Sequence, residues 1–175
     1  MVKSDYLLLD RPSWRGVLHS WVFFAAIPAG LLLIVFAAGT TGRTAAAIYA
    51  GTLLLVFGTS AAYHRLAESY RAREIMQRLD HSMIYLLIAG TYVPICLVAL
   101  PPRWGIPLLA VVTSIGLLGM VIKLAPIRRL QWLGYALYPI MGWAAVAATP
   151  ALTSHLTPLQ LGLVVAGGLA YTVGF

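Results

Sequence analysis

Few side chains in this sequence could do chemistry, and those few are the place to begin: His19, Ser60, His64, Asp80 and His81. Ser60 and His64 are four residues apart, so on a helix they share a face. Imidazole and carboxylate are zinc-ligand types, and a catalytic zinc takes three protein ligands with a water in the fourth position. Such an ion lowers the pKa of its water to about 7 and supplies a hydroxide for hydrolysis. A serine beside it holds an oxyanion or orients the water. Plainer roles stay open for each residue. Asp80 suits the cap of a helix, where free N–H groups and the dipole favour a carboxylate. His64 suits an interface, and Ser60 a hydrogen bond between helices. His81 points about 100° away from Asp80 on a helix and suits a side chain reaching toward water.

The elements that must position these residues follow from composition. Of the 175 residues 61% are hydrophobic and 10% charged, with a mean hydropathy of +0.87. A soluble domain is about 45–50% apolar and about 25% charged. So few charges cannot coat a globule, and lipid must solvate most of the surface. Six apolar runs approach the ~20 residues that a helix needs to cross the hydrocarbon core: 17–38, 44–64, 81–100, 106–124, 132–149 and 159–175. In lipid such runs must be helical, because an open strand leaves backbone groups unpaired. The expected fold is therefore an all-α polytopic transmembrane bundle of six spans, one domain over residues 1–175. The single cysteine, Cys96, excludes an intrachain disulfide and reads as a small hydrophobe inside an apolar run.

The net charge of +7 does not point to nucleic acid. Basic residues on a nucleic-acid binder cluster on one polar face, whereas here they alternate with apolar runs. Lys3, Arg11, Arg15, Arg65, Arg71, Arg73, Arg78, Lys123, Arg128 and Arg129 fall on one side of the expected spans, and only Arg43 and Arg103 on the other. By the positive-inside rule this places the N-terminus in the cytoplasm. The partners implied are membrane lipids. Asp5 and Asp10 among the early basic residues argue against a signal peptide. Trp14, Trp104 and Trp132 lie near run ends, at headgroup depth.

Alternation of the spans brings His19, Ser60, His64 and Asp80 to one layer near the cytoplasmic face and sends His155 to the opposite side. Ionisable groups at membrane depth are costly, and by default they face the protein interior and mark function. Pro28, Pro94 and Pro139 interrupt the odd-numbered runs and free backbone carbonyls, one of which the Thr91 hydroxyl could satisfy. Between the second and third runs, Leu66, Tyr70, Ile75, Met76 and Leu79 recur near helical spacing among arginines. That pattern predicts a short helix lying on the inner surface. The sixth run ends at Phe175 with no polar or basic anchor and reads as cut short within a span.

The stretch GTSAAYHRLAESYRAREIMQRLDHSMIYLLIAGTYVP, residues 58–94, resembles the hemolysin III family, the bacterial branch of the progestin and adipoQ receptor superfamily. Its pattern is Ser60-x-x-x-His64, a basic loop, then Leu79-Asp80-His81-Ser82 and Ala89-Gly90-Thr91-Tyr92, and Arg15–His19 (RGVLH) is similar to the family's opening. The resemblance implies seven helices with the N-terminus inside and a zinc site near the cytoplasmic face. It assigns His64 as a zinc ligand, and Asp80 and Ser60 as the residues that position or activate the zinc-bound water. Two further histidines would come from an H-x-x-x-H motif on a seventh helix. That motif is not in this sequence, so the site carries over at Ser60, His64 and Asp80 only, and this polypeptide is expected to bind zinc weakly or not at all.

Three functions follow as expectations. One is a zinc-dependent, ceramidase-like hydrolase of lipid amides, with Asp80 as general base and Ser60 in support. Another is a membrane sensor or structural protein whose metal clamps helices. The last is a pore-forming, cytolytic protein, which needs a polar stripe at mid-depth, although the middles of these runs are Leu, Ala, Val and Gly.

Overall fold

A computed structural model describes residues 13–125 and 128–174. Lys3, Asp5, Asp10, Arg11 and Phe175 lie outside the described residues, as does the side chain of Arg15. All regular structure among the described residues is helical: α1 Ser13–Phe36, α2 Gly39–Leu66, α3 Tyr70–Pro94, α4 Pro102–Leu124, α5 Gln131–Trp143, α6 Thr149–His155 and α7 Pro158–Gly174. A π-helical segment, Ile95–Ala99, prolongs α3, and 3-10 turns at Arg128–Leu130 and Ala144–Ala148 flank α5.

Five segments are long and apolar enough to cross a membrane: Gly16–Phe36, Gly39–Leu66, Tyr70–Ala99, Pro102–Leu124 and Gln131–His155. The last combines α5, the second 3-10 turn and α6. The sixth apolar run forms α7, which is shorter at 17 residues. Trp21, Phe24, Leu31, Val35 and Phe36 on α1 are exposed, as lipid-facing side chains must be. The protein is an all-α, multi-pass membrane bundle.

Each long helix packs on the next in sequence, α1 on α2, α2 on α3, α3 on α4 and α4 on α5, while α7 lies against α5. The turn between α1 and α2 closes at Gly39, whose φ of 66° is left-handed and suits glycine. The main core forms where α3, α4 and α5 meet. Tyr85, Ile88, Tyr92 and Cys96 there pack with Val112, Ile122, Leu137, Tyr138 and Met141.

Tyrosine hydroxyls in this core serve backbone groups that would otherwise be costly in lipid. The Tyr92 hydroxyl sits 2.8 Å from the Met141 carbonyl and 3.2 Å from that of Gly142, and it accepts from the Ala145 N–H at 3.0 Å. It thus braces the point where α5, interrupted by Pro139, tightens into a 3-10 turn. Tyr138 donates to the His81 carbonyl at 2.7 Å and stacks on Tyr85, whose hydroxyl donates to the Gly134 carbonyl.

The structure corrects the reading of residues 65–79. No separate surface helix forms, because α3 starts at Tyr70 and continues unbroken into the membrane. The Ser69 side chain caps it, accepting from the Ala72 N–H at 3.1 Å. From Tyr70 to Leu79 no glycine or proline intervenes, and Glu74 pairs with Arg78 one turn on at 2.5 Å. Asp80 therefore lies inside α3, about three turns from its start, and does not cap it. Thr91 also acts differently from expectation. Its hydroxyl donates to the Ile88 carbonyl at 2.6 Å, and the chain after Pro94 instead relaxes into the π-helical segment, with the Leu100 N–H on the Ile95 carbonyl at 3.0 Å.

Candidate functional site

The first turns of α1 meet the last turns of α2 at close range. Gly16 faces His64, and a Cβ at position 16 would lie 2.9 Å from the His64 Cβ and 3.1 Å from the Arg65 Cγ. Small residues let membrane helices approach in this way. Three residues further along α1, His19 reaches across. Its Nδ1 lies 2.6 Å from the Ser60 Oγ, and Ser60 is 4% exposed.

A second imidazole borders the pair. The His19 ring stands edge-on to His64 at 6.0 Å and to Phe57 at 5.7 Å, and Tyr63 lies 4.8 Å from the His64 ring. Beneath them, Ser20 donates to the Gly16 carbonyl at 2.7 Å, and the Arg65 guanidinium approaches the Ser20 hydroxyl at 3.4 Å. A buried hydroxyl in short contact with an imidazole, walled by aromatic rings, can exchange a proton or orient a polar group of a bound molecule.

Among the candidates named from sequence, the structure thus brings His19, Ser60 and His64 together. Asp80 stands half-buried on α3, and its side chain makes no hydrogen bond or ion pair with the described residues. His81 turns away from this cluster. Its Nδ1–H donates to the Gln77 carbonyl at 2.7 Å, and it lines a cavity between α3, α4 and α5. His155 ends α6, with its Nδ1 3.0 Å from the Ala151 carbonyl. No three His, Cys, Asp or Glu side chains among the described residues converge to hold a metal ion. The residues present therefore do not by themselves fit the zinc centre that the sequence resemblance implies.

One polar residue escaped the sequence reading. Lys123 counts there as a loop charge, yet it is 3% exposed and lies within α4. The available signal was its place inside the fourth apolar run, where a lysine must be either buried or turned to the interface.

A multi-pass helical membrane protein with a hydroxyl–imidazole cluster at one end is the class that fold and site define. The chain matches the haemolysin-III related family over residues 8–175 and belongs to that family. It is 33% identical to the hemolysin-3 homolog of Bacillus subtilis (strain 168) over 163 residues, which is 91% of this chain and 76% of that protein. It is 34% identical to hemolysin-3 of Bacillus cereus, again over 163 residues, or 91% and 74% of the two chains. No solved structure matches it.

Proposed function

We propose that the protein is an intramembrane hydrolase of lipid amides, working at the His19–Ser60–His64 end of the bundle with its N-terminus in the cytoplasm. The observation that carries this is the 2.6 Å contact between the His19 imidazole and a Ser60 hydroxyl that is almost fully buried. A polar pair in a chain whose surface is otherwise greasy is a functional candidate by default. The skew of basic residues toward one side of the spans supports the orientation.

In this proposal Asp80 is the general base toward water and Ser60 steadies the oxygen on which charge develops. His19 holds the Ser60 hydroxyl in place. When the His19 proton sits on Nδ1, that nitrogen donates to the Ser60 oxygen, leaving the hydroxyl hydrogen free to donate to the substrate oxygen. His64 is the zinc donor that the family resemblance carries over. Its partner ligands are not assembled by the described residues, so no step runs through a metal here.

Reconstituted protein should release fatty acid from an N-acyl sphingoid lipid in liposomes. Ser60→Ala and Asp80→Asn should each slow release by about 100-fold, the scale of a lost acid–base or oxyanion group, and His64→Ala, which borders His19, should slow it less. Unchanged release in all three variants sinks the proposal. Both Bacillus relatives are named hemolysins, which makes permeabilisation the second reading. Dye leakage from liposomes, insensitive to these substitutions and to a zinc chelator, would favour it.

A further inference from the structure

Away from α1, a second polar site sits at the junction of α3, α4 and α5. A cavity of about 290 Å³ opens there, lined in part by Glu74, Arg78, His81, Lys123, Gln131 and Tyr135. That is near the lower end of the range for small-molecule sites, about 300–1,000 Å³. Its wall is built around Lys123. The side chain is 3% exposed, and its Nζ lies 3.3 Å from the centroid of the Tyr135 ring and 5.8 Å from that of Tyr138. Gly134 leaves room for the stem, since a Cβ there would lie 2.9 Å from the Lys123 Cε.

An aromatic face attracts a cation but accepts no more than part of its hydrogen-bonding capacity. Among the described residues no carboxylate pairs with Lys123, because Glu74 is engaged with Arg78 at 2.5 Å. Two cations and one carboxylate therefore line the cavity, and the charge on Lys123 has no counter-ion there. A buried charge without one is costly. The neighbouring polar side chains are committed to the backbone: the His81 Nδ1–H donates to the Gln77 carbonyl, and the Gln131 Nε2 donates to the carbonyls of Ile122 and Ala125, at 3.3 and 3.5 Å. Recognition of an anion therefore falls to the two cations.

We propose that this cavity binds a phosphate group, with Lys123 as the buried counter-charge and Arg78 as the second cation at its wall. Phosphate suits two cations on separate helices because it offers several acceptor oxygens at once. Lys123 is the penultimate residue of α4 and Gln131 the first of α5, so the cavity lies at the membrane-edge end of both helices. A phospholipid headgroup and free inorganic phosphate are the two sources of that chemistry.

The test uses the full chain in maltoside micelles, titrated separately with phosphatidylglycerol and with sodium phosphate against sodium chloride of equal ionic strength. The readout is the thermal midpoint. Stabilisation by the lipid alone assigns a headgroup site, and stabilisation by both probes assigns a site for phosphate from either source. Lys123→Met should weaken binding at least about tenfold, the loss expected from one charge-assisted hydrogen bond. Arg78→Gln, half-buried on the first half of α3, should weaken it as well, while Lys123→Arg should retain it. Arg43→Gln at the opposite end is the control and should bind as the parent does. The proposal is overturned if neither probe exceeds the chloride control, or if Arg78→Gln and Lys123→Met both bind as tightly as the parent.

Discussion

His19 and Ser60, 41 residues apart in sequence, meet at 2.6 Å across the α1–α2 interface. The contact joins the helix with the most exposed apolar surface to the rest of the bundle, and it can be measured directly. A double-mutant cycle of His19→Ala and Ser60→Ala, read by unfolding in mixed micelles, should give a coupling of about 0.5–1.5 kcal/mol. Additive effects of the two changes would mean that the contact is not formed in the membrane.

Gly16 sets the spacing of that interface. Gly16→Ala places a methyl 2.9 Å from the His64 Cβ, which is close to the backbone and cannot swing aside. The expected cost is about 1–3 kcal/mol, as for other overpacked sites. The His19–Ser60 coupling should shrink in the same variant. If Gly16→Ala leaves both stability and coupling untouched, α1 does not seat here.

Ser69 tests where α3 begins. As its cap, Ser69 accepts from the Ala72 N–H, and Ser69→Ala should cost about 1 kcal/mol. Amide exchange over residues 70–79 should accelerate in this variant, while residues beyond Asp80 stay protected. Fast exchange over 70–79 already in the parent protein would instead support a helix starting near Asp80.

Tyr92 braces the transition from α5 to the 3-10 turn through three backbone groups. Tyr92→Phe keeps the ring and removes the hydroxyl, leaving buried polar groups unmatched at a cost of about 1–3 kcal/mol. Exchange at Ala145 should rise most, since its N–H loses its acceptor. Equal protection of Ala145 in parent and variant would show that another group serves it.

Much of the fold was legible because lipid leaves the chain little choice: an apolar run of this length must be helix. Runs 17–38, 44–64 and 106–124 match α1, α2 and α4 to within a few residues. The third run hid its start. Hydropathy reports where a helix enters lipid, whereas Ser69 and the sequence from Tyr70 to Leu79 decide where it begins in water. The fifth run hid its break, since the 3-10 turn at Ala144–Ala148 changes helix type without changing polarity.

The site was legible in part for a related reason. Counting spans places residues 19, 60 and 64 at one end, but depth alone says nothing about which side chains face each other. Gly16, the residue that permits the close approach, carries no chemistry of its own. Lys123 was hidden by its charge, since a lysine near the end of a run looks like an anchor at the interface. Only the aromatic faces of Tyr135 and Tyr138 around it show otherwise.

Because α3 is one unbroken rod from Tyr70 to Pro94, its water-exposed segment and its membrane segment cannot turn independently. Asp80 and His81, adjacent on that rod, project about 100° apart, with His81 at the edge of the Lys123 cavity. A twist applied to the arginine-rich stem therefore reorients both side chains by the same angle. Whatever grips the stem gains leverage on the carboxylate and on the cavity together, as a key turns every ward cut along its shaft.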